Sequence, residues 1–158
     1  MCGQSVREDD GKRGPRGYDA GKKIQGRKRH LVVDTLGLIH GLIVHAANIQ
    51  DRDGAKLVFA AIRKQMPRLK RIWADAGYAG QLVDWVSEQT GWTLEIVKRP
   101  DGAKGFVVIH KRWIVERTFA WLGKCRRLRA DYEATTTSSE ALIRLAMLGI
   151  MLRRLRRS

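Results

Sequence analysis

The sequence predicts an α/β fold in which helices cover a sheet that cannot be purely parallel. Two β-branched apolar runs, His30-Leu31-Val32-Val33-Asp34 and Leu38-Ile39-His40-Gly41-Leu42-Ile43-Val44-His45, flank the turn Thr35-Leu36-Gly37 and read as an antiparallel hairpin. Two further apolar runs, at 69–74 and 92–97, alternate with segments of helical periodicity. A length of 158 residues with 44% hydrophobic residues is that of one ordinary domain with its own core.

Each element follows from local chemistry. Residues 1–29 are polar, basic and Gly-rich, with too few apolar groups to offset the entropy of ordering, so they read as a loop or arm. After the hairpin, Asp51 offers an N-cap for a helix over 52–65, in which Leu57, Val58, Ala61 and Ile62 recur at helical spacing. Pro67 closes it. The strand at 69–74 runs into the loop Asp75-Ala76-Gly77-Tyr78-Ala79-Gly80. A helix over 81–89 turns Leu82, Trp85 and Val86 inward, and the strand at 92–97 leads to the turn Arg99-Pro100-Asp101-Gly102. A long helix over 111–129 carries Val115, Phe119 and Leu122 on one stripe. Thr137-Ser138-Ser139-Glu140 then reads as a capping box for a last helix with Leu142, Leu145, Ala146, Gly149 and Leu152.

Charge bounds the partners. Thirty-one Lys and Arg against sixteen Asp and Glu give +15, a balance that attracts polyanions and points to nucleic acid. No apolar run approaches a membrane span and the start lacks an apolar leader, so a cytoplasmic, nucleoid-associated protein is expected. Cys2 and Cys125 lack metal-ligand spacing; Cys125 reads as a core thiol of the long helix.

Two carboxylates stand out. Asp75 directly follows an apolar strand, where open α/β sheets place ligand and catalytic groups; a turn aspartate serving local N–H groups is the plainer reading. Glu116 shares a helix face with Arg112 at i−4, as a ligand or as an exposed ion pair. Together, two carboxylates in a basic protein suit a hard cation such as Mg²⁺ facing phosphate, although a two-metal site requires more acidic groups than these. Asp34, at the hairpin turn, reads as structural.

Gly14-Pro15-Arg16-Gly17-Tyr18-Asp19-Ala20-Gly21-Lys22-Lys23, Gly26-Arg27-Lys28-Arg29-His30, Val33-Asp34-Thr35-Leu36-Gly37 and Gln50-Asp51-Arg52-Asp53-Gly54-Ala55 form a series of blocks. It continues with Ala74-Asp75-Ala76-Gly77-Tyr78, then 112–122, Arg126-Arg127-Leu128 and Asp131-Tyr132-Glu133. In order and spacing, this series resembles transposases of the IS5 insertion-sequence family, of the DDE type. The resemblance implies a ribonuclease H-like mixed sheet flanked by helices, with the arm at 1–29 and a partial catalytic domain at 30–158. It places the family's second Asp on Asp75 and its Glu on Glu116, with Arg112 beside them and Mg²⁺ or Mn²⁺ as cofactor.

The family's Tyr-x2-Arg-x3-Glu-x6-Lys signature finds Ile109 and Gly123 at its Tyr and Lys positions, with Lys124 one residue late. Its first Asp falls on Cys2, so the resemblance implies the carboxyl-terminal catalytic portion, with the first central strand largely missing. The neighbours of that strand would then expose unpaired backbone groups. Asp9 and Asp10 lie too far along to replace that Asp. DNA is the implied partner, in a synaptic homo-oligomer without membrane. The contacts would come from Lys22, Lys23, Arg27, Lys28, Arg29, Lys124, Arg126 and Arg127, and from Arg153, Arg154, Arg156 and Arg157. The implied activity is metal-dependent cleavage and strand transfer at insertion-sequence ends, weak or absent in this chain. The alternatives are a non-catalytic DNA-binding product that regulates the intact enzyme, and, last, a ribonuclease H-like nuclease.

Overall fold

The computed structural model describes residues 1–8, 14–98 and 111–156. The turn at 99–102, Asp9, Asp10, Ile109 and Arg157 lie outside them. Six strands form one mixed sheet: β1 (Cys2–Glu8), β2 (Gly17–Asp19), β3 (Ile24–Val33), β4 (Ile39–Ala46), β5 (Arg71–Ala74) and β6 (Thr93–Ile96). Their order is β2-β3-β1-β5-β6, with β4 also paired to β3. The pairs of β3 with β1, β2 and β4 are antiparallel, whereas β1·β5 and β5·β6 are parallel. The expectation of a sheet that is not purely parallel is met.

The alternation along the strands sorts two cores. On one face Cys2, Val32, Ile72, Ala74 and Leu94 meet α1 (Asp51–Ile62) and α2 (Gln81–Thr90) through Ala55, Val58, Phe59, Leu82 and Val86. On the other, Leu31, Val33, Leu42 and Val44 meet α3 (Arg112–Gly123) and α4 (Thr136–Leu155) through Ile114, Val115, Leu122 and Ile143. The chain is thus a sheet between two helical layers.

The segment expected as an arm corrects the sequence reading most. Residues 2–8 and 24–29 are sheet, and β1 pairs with β3 from Cys2↔Val32 to Glu8↔Gly26. The same strand pairs with β5 at Cys2↔Ala74, so a strand does occupy the central place expected to be largely missing. Its polar look has a physical cause: the side chains around it are buried on ions. The side chains of Arg27 and Asp131 are both 0% exposed, with Arg27 Nη1 3.2 Å from Asp131 Oδ1. Arg27 also donates to the carbonyls of Pro15 (2.9 Å), Glu133 (2.8 Å) and Ala134 (3.3 Å). Arg29 donates to those of Leu128 (2.9 Å) and Ala130 (3.3 Å), and Ser139 Oγ donates to Asp131 Oδ2 at 2.7 Å. Basic residues that read as solvated therefore form a clamp between β3 and the 128–139 stretch.

Other differences are local. Gln50, not Asp51, is the N-cap of α1, because Asp51 Oδ1 is held 2.9 Å from Lys28 Nζ. The helix leaves Leu57 exposed and buries Phe59 instead. α3 stops at Gly123, followed by a 3-10 turn at Arg126–Leu128, so Cys125 is a half-buried linker residue and not a helical core thiol. Gly123 weakens the helix at that point, and Arg29 draws the carbonyls of Leu128 and Ala130 aside. The cap of α4 is Thr135, accepting from Ser138 N at 3.1 Å, while Glu140 Oε1 accepts from Val44 N at 2.9 Å and so ties α4 to the sheet. Leu145, Leu148, Leu152 and Leu155 are left exposed. Asp34 takes the turn role expected of it, accepting from the amides of Leu36 and Leu38, each at 2.9 Å.

Asp131→Ala leaves the Arg27 guanidinium buried without its counter-charge. Urea unfolding is expected to show a loss of about 3–5 kcal/mol. A loss below about 1 kcal/mol, the range of a surface pair, would mean that the clamp does not hold β3.

Candidate active site

Asp75 ends β5. Its backbone carbonyl and Oδ1 accept from Tyr78 N (3.1 Å) and Gly77 N (2.9 Å), turning the chain into the 3-10 turn Ala76–Tyr78. The plainer reading of Asp75, a turn aspartate, is therefore fulfilled, yet it does not exhaust the residue. Tyr78 is wholly buried below that turn, and its hydroxyl lies 3.2 Å from His30 Nδ1. Burial, with His45 stacked at 4.8 Å, lowers His30 to about 3, so this ring is neutral at physiological pH. The loop carrying Asp75 is thereby fixed from beneath by an uncharged polar wedge.

Glu116 and Arg112 come from the other helical layer. Arg112 Nε donates to Glu116 Oε1 at 2.9 Å, with both side chains largely open to solvent. α3 reaches the sheet because Gly3 has no side chain: a Cβ there would lie 2.8 Å from Val115 Cγ1, closer than real atoms approach. Asp75, Arg112, Val115, Glu116 and Phe119 then line one cavity of about 90 Å³ together with residues 1–4. The two carboxylates that the sequence singled out, and Arg112, line the same cavity.

Cys2 belongs to the same cavity, but its side chain is fully buried in the cluster with Val32, Ala55, Ala74 and Tyr78. Burial pushes the thiol up to about 12, so it carries no charge near neutral pH. Asp75 and Glu116 offer the hard oxygen donors that one divalent ion takes. Among the described residues no group of three or more His, Cys, Asp and Glu converges that could hold a metal ion, so the donor set of this cavity falls short of what two ions need.

The cations separate into two groups. Lys22, Lys23, Lys124, Arg126 and Arg127 are exposed, Lys22 Nζ donating to Gln4 Oε1 at 2.8 Å and Arg127 Nε to Glu133 Oε1 at 2.9 Å. Arg27, Lys28 and Arg29 are buried and bound to Asp131, Asp19, Asp51 and backbone carbonyls. These three are corrected from surface contacts to internal ones. Sequence reasoning missed Gln4, which lines the cavity and donates to Asp51 Oδ2 at 3.1 Å; no spacing signal could have shown a pairing across 47 residues.

The family described as Transposase DDE domain matches residues 2–150. The chain belongs to the DDE transposase family. A protein of Burkholderia cepacia that bears the name of a transposase for insertion sequence element IS402 is 31% identical over 156 residues, covering 93% of this chain and 72% of that protein. No solved structure matches the chain. DDE transposases act on DNA and generally use a divalent metal. Among the described residues no helix is long and apolar enough to cross a membrane.

With its thiol raised from 9.0 to about 12, Cys2 holds roughly a thousandfold less thiolate than an ordinary cysteine near neutral pH. Native protein treated with iodoacetamide at mildly alkaline pH is expected to keep Cys2 unmodified, as read by peptide mass, until denaturant is added. Alkylation of native Cys2 at the unfolded rate would show that β1 is not seated in the sheet.

Proposed function

We propose that this chain works in DNA transposition on a ribonuclease H-like core, cutting phosphodiesters at insertion-sequence ends and joining the freed 3′-hydroxyl to target DNA, and that the reaction is weak in this chain. The observation that carries the reading is the one cavity lined by Asp75 from the end of β5 and by Arg112 and Glu116 from α3. Asp75 and Glu116 are the residues that would hold Mg²⁺ or Mn²⁺, which when bound neutralises charge on a phosphate and activates water. Arg112 keeps Glu116 oriented and presents a guanidinium fork to an entering phosphate. Cys2 stays a neutral thiol, adding neither counter-charge nor base; the deficit of negative charge is why the reaction is weak.

Lys22, Lys23, Lys124, Arg126, Arg127 and Arg153 lie at the surface, and on this reading they neutralise backbone phosphates. Binding through them is salt-dependent and blind to sequence. Two or more copies would hold the paired ends. The second reading, a DNA-binding product without catalysis that regulates the intact enzyme, is favoured by the neutral Cys2. The two part on whether divalent-dependent cleavage occurs at all.

Asp75→Asn and Glu116→Gln are each expected to lower divalent-dependent cleavage of insertion-end DNA on the order of a hundredfold, given several kcal/mol from metal-assisted catalysis. Gel-shift affinity for the same DNA should be unchanged. Cleavage that survives Asp75→Asn would remove this cavity from the reaction, and wild-type binding with no cleavage under any divalent ion would select the regulator.

A further inference from the structure

The exposed side of α3 carries a stack that the proposed chemistry does not use. Arg117 lies with its guanidinium carbon 4.2 Å from the Trp113 ring centroid and 4.7 Å from that of Trp121, and Arg154 of α4 lies 4.3 Å from Trp121. Indole, guanidinium and indole alternate over the nine residues 113–121 of α3, about 12 Å of helix, and the guanidinium of Arg154 extends the row from α4. The β3–β4 turn braces the row, with Arg117 Nη2 donating to Thr35 O and Arg154 Nη1 to Leu36 O at 3.4 and 3.3 Å. Gly37, at φ +82, lets the turn close against Trp121; a Cβ there would lie 2.9 Å from the ring. The row is thus a braced surface with its cations held in place.

Its two ends point to a ligand. Trp113, at the first end, is 40% exposed and stands three residues before Glu116, within one turn of it on α3 and next in sequence to Arg112 of the cavity. Beyond the other end, Trp121, Lys124, Ile150, Arg153 and Arg154 line a cavity of about 260 Å³. An aromatic platform joined to a cationic groove is what a single strand of nucleic acid takes: bases stack on the rings and phosphates follow the positive charge. A rigid duplex keeps its bases stacked on each other and cannot offer them to Trp113.

We infer that the Trp113–Arg117–Trp121–Arg154 stack is a track for unpaired DNA leading away from the cavity of Asp75 and Glu116, with Trp113 stacking a base next to the phosphate being cut. The inference rests on the DNA-processing reading of that cavity and adds to it the strand state that is recognised. Arg117 and Arg154 cover Trp121, so Trp113 at the exposed end is the ring that takes a base, while Lys124 and Arg153 take the outgoing phosphates.

The test uses two insertion-end duplexes, one blunt and one with a short unpaired end carrying 2-aminopurine, bound to wild type, Trp113→Ala and Trp113→Tyr. Wild type is expected to prefer the unpaired end and to quench the probe. Trp113→Ala should lose about 5- to 150-fold of that preference, the range for one base on one aromatic ring, with blunt-duplex affinity unchanged. Trp113→Tyr should keep most of the preference and the quenching. Equal binding of the unpaired end by wild type and Trp113→Ala, with duplex binding intact, overturns this inference alone, as does a Trp113→Tyr no better than Trp113→Ala. A wild-type chain that binds neither DNA overturns the underlying reading as well.

Discussion

The structure turns on the position of β1. This strand pairs antiparallel with β3 along its whole length and parallel with β5 at Cys2↔Ala74. It is therefore the member through which the antiparallel and parallel parts of the sheet share hydrogen bonds. Removed, it would leave the row of β3 groups that it pairs, and the end of β5 at Ala74, without partners, at a penalty of about 1–3 kcal/mol for each buried group. The site inherits this constraint. Asp75 stands one residue beyond the β1–β5 pairing, and α3 settles over β1 only because Gly3 leaves space for Val115. The distance between the two carboxylates is thus set by the sheet and by one missing side chain, not by any contact between the carboxylates.

The same strand explains what could be read in the sequence. The β3–β4 hairpin was legible because its apolar residues contact neighbours of similar kind, so alternation shows directly in Leu31, Val32, Val33, Leu42 and Val44. β5 and α2 were legible for the same reason. The first half of β3 was not: Arg27 and Arg29 are buried by partners about a hundred residues away, and no local pattern registers that Asp131 neutralises them. Cys2, Gly3, Gln4 and Ser5 were illegible as strand because their environment is supplied by β3, β5 and α3 together. Polar composition stands for disorder only where no buried counter-charge waits elsewhere in the chain.

For the site, Asp75, Arg112 and Glu116 were legible one by one, from a strand end and an i,i+4 spacing, and the structure places all three on one cavity. What could not be read was the division of the positive charge. A net charge of +15 counts Arg27, Lys28 and Arg29 alongside Lys22 and Lys124, although the first three serve the core and the others face solvent. Nor did the spacing of Trp113, Arg117 and Trp121 announce a stack, since the brace comes from the hairpin turn and from Arg154. The structural and solvent-facing cations of this DDE transposase chain can be told apart only in three dimensions.

The most direct measurement is amide hydrogen exchange along β1. A strand seated between β3 and β5 exchanges only when the sheet opens, so its amides should share the slowest class with those of Leu31 and Val32. If β1 exchanged like a frayed terminus while β3, β4 and β5 stayed protected, the central strand would not be held in the sheet. The cavity built on its position would then lose its foundation.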